Sequence, residues 1–367
     1  MVHAIGYGNK NSFSGLKPLQ IERKDPADNE VQIEIMFCGV CHSDIHQARN
    51  EWKNTIYPCV PGHEIVGKIT KMGEKATKYK IGDLVGVGCM VDSCQHCDAC
   101  NAGLENYCEE GFLATYNGNA RHPAKENLTF GGYSNIIVVR ENFVLKIPEN
   151  MDPAAAAPIL CAGVTTYSPL RHWKVGHGTK VGVVGLGGLG HLAVQIAVAM
   201  KAEVTVITTS PHKAEAARAL GAKDVIDSGN KELMKAREAS LDFILTTIPE
   251  SHDINPYITL LKRDGVITVV GCLAPTSKPI DLSKMIMDRK SIGTSVIGGI
   301  GETQEVLDFC SQHNIAAKIE IIPIQSINDA FDKIAKSEIH HRYVIDMKSL
   351  EGVTEDDGLL EKIGIKQ

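Results

Sequence analysis

The chain has 367 residues, 43% of them apolar and 22% charged, and a net charge of −6. That length suggests two domains with a real core, and the composition excludes wholesale disorder and fibrous repeats. The acidic balance and an aromatic content of 5% argue against a partner recognised through phosphates or stacked bases, so no nucleic-acid role is expected.

The N-terminal residues Met1, Val2, His3, Ala4, Ile5 and Gly6 show no basic stretch leading into an apolar core, so no secretory signal is read there. Short β-type segments follow at 31–35, 65–69, 84–87 and 136–139, separated by Gly, Pro and Asp turns. This part reads as β-rich. After Pro148 the character changes, and apolar strands at 180–184, 203–207, 224–226, 243–245 and 265–270 alternate with helical stretches at 189–201 and 212–220. Such alternation indicates a doubly wound parallel sheet covered on both faces. The apolar run 181–200 carries clustered glycines, His191 and Gln195, which suits a buried strand–turn–helix and not a membrane span. A helix at 302–311 and strands near 319–321 and 343–345 close the ordered part, and the polar tail 348–367 is expected to pack weakly.

Eleven cysteines without a secretory signal read as metal ligands in a reducing compartment, hence a cytoplasmic protein. Cys94, Cys97, Cys100 and Cys108 fall within fifteen residues in a turn-rich lobe. Four thiolates suit tetrahedral zinc with no open vertex, a structural site; spacing alone leaves an iron–sulfur cluster as the rival. Cys41, His63 and Cys161 offer a second set of three ligands with one vertex open, the requirement for zinc that polarises an alcohol or carbonyl oxygen. Asp44 is suited to hold the other nitrogen of His63. Each of these residues alone is weak evidence; the constellation carries the case.

Gly185, Leu186, Gly187, Gly188, Leu189 and Gly190 follow an apolar strand and open an apolar helix, the setting of a dinucleotide-binding turn. At the end of the next strand, where an NAD enzyme places Asp or Glu, stand Thr208, Thr209, Ser210 and Lys213. Hydroxyls and a cation suit the 2′-phosphate of NADP(H), although the hydroxyls could equally cap the following helix. Val270 and Cys272, at the end of a later strand, complete the expected cofactor contacts.

Together these motifs resemble the zinc-dependent medium-chain alcohol dehydrogenases, and within them the cinnamyl alcohol dehydrogenase group of NADP-dependent aldehyde reductases. The resemblance runs from about residue 5 to 347 and includes Gly62-His63-Glu64 with Gly67 and Gly73, the four-cysteine lobe, and the run from Cys161 through Thr165 to Leu170. It implies an α/β protein with a GroES-like catalytic domain at 1–152 and 299–367, interrupted by a Rossmann domain at 153–298. It also implies two zinc ions per subunit. One would be catalytic on Cys41, His63 and Cys161, with Glu64 as close or alternate ligand; the other would be structural on the four clustered cysteines. Ser43 would exchange the substrate proton with His46 through the nicotinamide ribose, Thr165 would face the nicotinamide, and Thr209, Ser210 and Lys213 the 2′-phosphate. The strand near 292–300 would pair with its copy in a homodimer.

One departure concerns the pocket. Plant members carry Trp where this chain has Leu113, and Val296 and Ile297 stand in the matching downstream segment, so aromatic and medium aliphatic aldehydes or primary alcohols are the expected substrates. A zinc-dependent polyol or secondary-alcohol dehydrogenase shares the architecture, and a zinc-ribbon binding protein is the rival of another class.

Overall fold

The computed structural model describes residues 2–271, 274–336 and 341–355. The chain divides into two units: Met1–Cys161 with Gly299–Ser311 and Ala316–Gln367, and Ala162–Gly298 with Gln312–Ile315.

Among the described residues, the first unit is built on a seven-stranded sheet whose centre is the strand Glu30–Gly39. Its alternation is the reason it forms: Val31, Ile33 and Ile35 are buried on one face while Glu34 is exposed. Gln32 breaks the polar-out rule, and its amide nitrogen donates to the Thr70 hydroxyl at 3.0 Å. Ile65–Met72 lies antiparallel along one side, and the other side is shared by Ile136–Arg140 and Arg342–Asp346. The register pairs Cys38 with Ile65 and Gly39 with Val344. The chain leaving Gly39, the chain entering Ile65 and the start of Arg342–Asp346 therefore meet at one end of the sheet.

The second unit carries a parallel sheet of six strands among the described residues, in the spatial order Asp224–Asp227, Glu203–Thr208, Lys180–Val184, Leu241–Thr246, Leu261–Val269 and Ser291–Thr294. The order reverses between Lys180–Val184 and Leu241–Thr246, the switch point at which such sheets bind dinucleotides. Val181, Val183 and Val184 are 0–1% exposed because both faces of this strand are covered.

The segment after Asp346 departs from the expectation of weak packing. Within 348–355 that departure is one side chain: the 3-10 turn Met347–Leu350 buries Leu350, while Lys348, Glu351, Gly352, Thr354 and Glu355 are exposed. The rest of that expectation, residues 356–367, lies outside the described residues. Among the described residues no helix is long and apolar enough to cross a membrane.

Candidate active site

Four donor groups converge at the sheet end just described: Cys41, His63, Glu64 and Cys161, with ligand atoms within 4.8 Å of one another and every residue buried. Cys41 follows the central strand, His63 and Glu64 precede Ile65–Met72, and Cys161 ends the short 3-10 turn Ala157–Leu160. Gly39 has to lack a side chain here, since a Cβ would stand 2.0 Å from Glu64 Oε2. Gly62 adopts a φ of +100°, which an L side chain rarely takes, and a Cβ there would strike Tyr133.

Asp44 organises one side of this group. It occupies the first turn of the helix His42–Ala48, and its Oδ2 reaches back to accept the Cys41 amide at 2.9 Å. The same carboxylate accepts the Gly62 amide at 3.0 Å and the Tyr133 hydroxyl at 2.9 Å. Its Oδ1 lies 2.9 Å from His63 Nδ1, the contact expected from the sequence, which leaves the other ring nitrogen for a ligand bond. Asp44 raises the proton affinity of His63 well above the ordinary value against the opposing effect of burial.

Arg342 organises the other side. Its guanidinium donates to Glu64 Oε1 at 2.5 Å and to the Val40 carbonyl at 3.0 Å. Burial nevertheless pushes the Glu64 carboxyl up to about 7, opposing the pull of Arg342. The hydrogen bond from Cys161 holds the Cys41 thiol well below its ordinary value, with His63 adding to the effect and burial opposing it.

A metal fits this group. Glu64 Oε2 is buried with no hydrogen-bond partner, and an acceptor left in that state is relieved by a cation. Two sulfurs, one imidazole nitrogen and one carboxylate oxygen form a donor set that zinc accepts.

The four clustered cysteines also converge, with Cys94, Cys97, Cys100 and Cys108 placing their sulfurs within 4.8 Å of one another. Cys94 and Cys100 sulfurs are 3.8 Å apart, and the Cys97 amide donates to Cys94 Sγ at 3.3 Å. The backbone amides of Glu109 and Cys100 hold the Cys97 thiol down, to about 6. Donor amides and converging sulfurs fit zinc here as well.

Ser43 and His46 lie on the helix His42–Ala48, three residues apart and both half-buried. His46 Nδ1 lies 2.5 Å from Glu51 Oε2, and its ring stands 5.5 Å from that of Trp52. Glu51, Tyr133 and Arg342 are the contacts that sequence reasoning missed. Glu51 was within reach of a search for a carboxylate near His46. Tyr133 and Arg342 carry no local signal, because they lie 89 and 278 residues along the chain from the Asp44 and Glu64 they reach.

In the second unit, Gly185 turns with a φ of +91° out of the strand Lys180–Val184. A Cβ on Gly190 would meet the Gly185 carbonyl at 2.2 Å, so the helix Gly190–Ala199 starts hard against the turn. Gly187 faces open space, with no atom within 4 Å of where a Cβ would stand, a gap into which a pyrophosphate fits. Leu186 is buried beside this turn, and Gly188 and Leu189 are half-buried. The Thr208 hydroxyl accepts the Ser210 amide at 3.1 Å, which is the capping use the sequence also allowed. Thr209 is exposed, Ser210 and Lys213 are half-buried, and Thr165 is buried on the helix Ala162–His172. Val270 donates its amide to the Thr246 carbonyl at 3.2 Å, and Cys272 lies outside the described residues.

Comparison with known proteins agrees with this geometry. Residues 27–149 match the alcohol dehydrogenase GroES-like domain, and residues 188–312 match the zinc-binding dehydrogenase family. The chain is 52% identical over 336 residues to the aldehyde reductase YahK of Escherichia coli, covering 91% of this chain and 95% of that one. Its fold is similar to that of a cinnamyl alcohol dehydrogenase from Sorghum bicolor, with a TM-score of 0.89, 41% identity and coverage of 95% and 98%. It is also similar to the Helicobacter pylori CAD complexed with NADP(H), with a TM-score of 0.86, 42% identity and coverage of 95% and 99%. This chain belongs to the zinc-dependent medium-chain alcohol dehydrogenase and aldehyde reductase family, with a GroES-like and a Rossmann-like domain, and is an NAD(P)(H)-linked oxidoreductase of alcohols and aldehydes.

Proposed function

We propose that this chain is an NADPH-dependent reductase of aromatic and medium aliphatic aldehydes, interconverting them with primary alcohols. The observation that carries the cofactor choice is the end of the strand Glu203–Thr208, where Thr209, Ser210 and Lys213 stand without a carboxylate. A carboxylate there would repel a 2′-phosphate, whereas hydroxyls and an ammonium hold it. The NADP(H) carried by the Helicobacter pylori relative supports the same preference.

Cys41, His63 and Cys161 would hold the reaction's zinc, with Glu64 as an exchangeable further donor, and Cys94, Cys97, Cys100 and Cys108 would hold a structural one. When bound, zinc supplies a Lewis acid for the carbonyl oxygen and NADPH supplies the hydride. Asp44 fixes the ring of His63, and Arg342 keeps Glu64 from closing permanently on the site. Ser43 donates the proton to the substrate oxygen, and His46 restores it, drawing on solvent through Glu51. The apolar side chains of Leu113, Val296 and Ile297 favour a broad aldehyde range over polyols.

The direct experiment compares initial rates of NADPH and NADH oxidation with benzaldehyde and cinnamaldehyde. NADPH should be strongly preferred, and Thr209→Asp should raise its KM on the order of tenfold through charge repulsion; a preference for NADH would remove the phosphate site. His46→Gln should lower kcat by roughly one to two orders of magnitude, and Glu51→Gln by less. Unchanged kcat in both variants would remove the proton path.

The functional state is a homodimer. Leu282, Ile286 and Met287 are 69%, 77% and 87% exposed, beside the sheet-edge strand Ser291–Thr294, and such a patch needs cover. Light scattering should give twice the chain mass for the wild type and a shift toward monomer for Ile286→Asp; a monomeric wild type would refute this. The thiol-rich ligand sets need reduced cysteines, which supports a cytoplasmic location.

A further inference from the structure

Asp44 holds the imidazole of His63 at one point only. The contact between its Oδ1 and His63 Nδ1, at 2.9 Å, leaves the ring free to pivot about that bond. A second contact reaches the same ring from another part of the chain. The ring of Tyr116 stands with its centre 5.5 Å from that of His63 and its plane at 62° to it, an edge-to-face arrangement. Both side chains are buried.

The segment that carries Tyr116 is pinned on both sides. It forms a tight turn after the strand Leu113–Ala114, closed by the Ala114 amide donating to the Gly118 carbonyl at 2.9 Å. On one side of Tyr116, the Thr115 hydroxyl donates to the Gly88 carbonyl at 2.6 Å, and the Thr115 amide donates to the Cys89 carbonyl at 3.1 Å. On the other side, Asn117 is buried with a φ of +67°, a left-handed conformation that Asn tolerates better than most residues. Asn117 Oδ1 accepts the Ile56 amide at 2.8 Å, and its Nδ2 donates to the Asn54 carbonyl at 3.1 Å. Tyr116 is therefore a stiff wall against His63, set by its two neighbours in sequence.

We propose that Tyr116 is a positioning residue for His63: its ring blocks the pivot that the Asp44 contact permits and keeps the remaining imidazole nitrogen among the donors Cys41, Glu64 and Cys161. The proposal rests on the reading of His63 as a zinc ligand. A ligand held at two points stays aligned while a metal is bound, and one held at a single point leaves it more often. The aromatic ring makes this contact, so Phe can replace Tyr here and an aliphatic side chain cannot.

The test measures zinc release from the loaded protein with a colorimetric chelator. The phase that belongs to the buried centre is the one missing from Cys41→Ser, and the phase from the four clustered cysteines serves as the internal control. Tyr116→Leu should speed the first phase roughly tenfold and leave the second unchanged. Tyr116→Phe should stay within about twofold of wild type in both. Tyr116→Met fills more of the space without a flat ring; it should behave like Tyr116→Leu, and it replaces that variant should the latter fail to fold. Wild-type release of the first phase from the aliphatic variants overturns the proposal alone. So does an equal acceleration of both phases, which is the mark of general loosening. Undiminished zinc content in Cys41→Ser overturns the ligand assignment, and the proposal with it.

Discussion

The two groups of converging ligands in the first unit are built by opposite means. Cys94, Cys97, Cys100 and Cys108 come from one stretch of fifteen residues, and their outer contacts are the stretch's own amides and the Ser93 hydroxyl. Cys41, His63, Glu64 and Cys161 come from sites up to 120 residues apart; the register of the central sheet brings the first three together, and the turn Ala157–Leu160 delivers Cys161. Their outer contacts, Asp44, Tyr133 and Arg342, are themselves buried and come from three further positions. The first group is partly exposed and uniform in chemistry, so a metal there ties a loop to itself. The second is buried and mixed, and its one carboxylate has a competing partner in Arg342, so Glu64 would be the donor a bound metal could most readily give up. Under the proposed function the two groups of ligands serve different ends, and the difference lies in what surrounds them.

The largest effect should come from breaking the buried group at a thiol. Cys41→Ser should abolish turnover while leaving NADPH binding intact, measured by steady-state rates and by cofactor fluorescence. Retained turnover would show that the buried centre is not where the reaction occurs. An intermediate effect should follow from touching only its outer contacts. Asp44→Asn removes an acceptor that four donors share, and zinc affinity in competition titrations should fall by about 10–100-fold. An unchanged affinity would mean that the second group, like the first, needs no support beyond its ligands. The smallest effect on turnover should come from Cys94→Ser. Rates per folded molecule should stay near wild type while the melting temperature drops by roughly 5–10 °C. Collapse of turnover at temperatures where the variant remains folded would erase the distinction between the two centres.

What could be read along the chain followed from how local each signal is. The four-cysteine spacing and the turn from Gly185 to Gly190 are short-range patterns. Their geometry is nearly dictated by a few backbone angles, such as the φ of +91° at Gly185. The placement of Asp44 against His63 was legible too, because a carboxylate three residues after Cys41 can reach only a few partners. Thr208 was ambiguous in sequence for a physical reason: a hydroxyl at a strand end can cap a turn or meet a phosphate, and here it takes the Ser210 amide. Leu350 was misjudged because a single apolar residue in a polar run gives no period, and only the surrounding packing buries it.

By itself, then, the order of residues determined the alternation that makes each sheet, the glycines that shape the dinucleotide turn and the thiols able to hold metal. These depend on neighbours within a few positions, where backbone geometry leaves little choice. Only the tertiary structure decided that Arg342 would grip Glu64 and that Tyr133 would reach Asp44. Such pairs are joined by strand register and close packing between distant segments. A slip of one residue in the register of Arg342–Asp346 would turn Arg342 to the other face and away from Glu64.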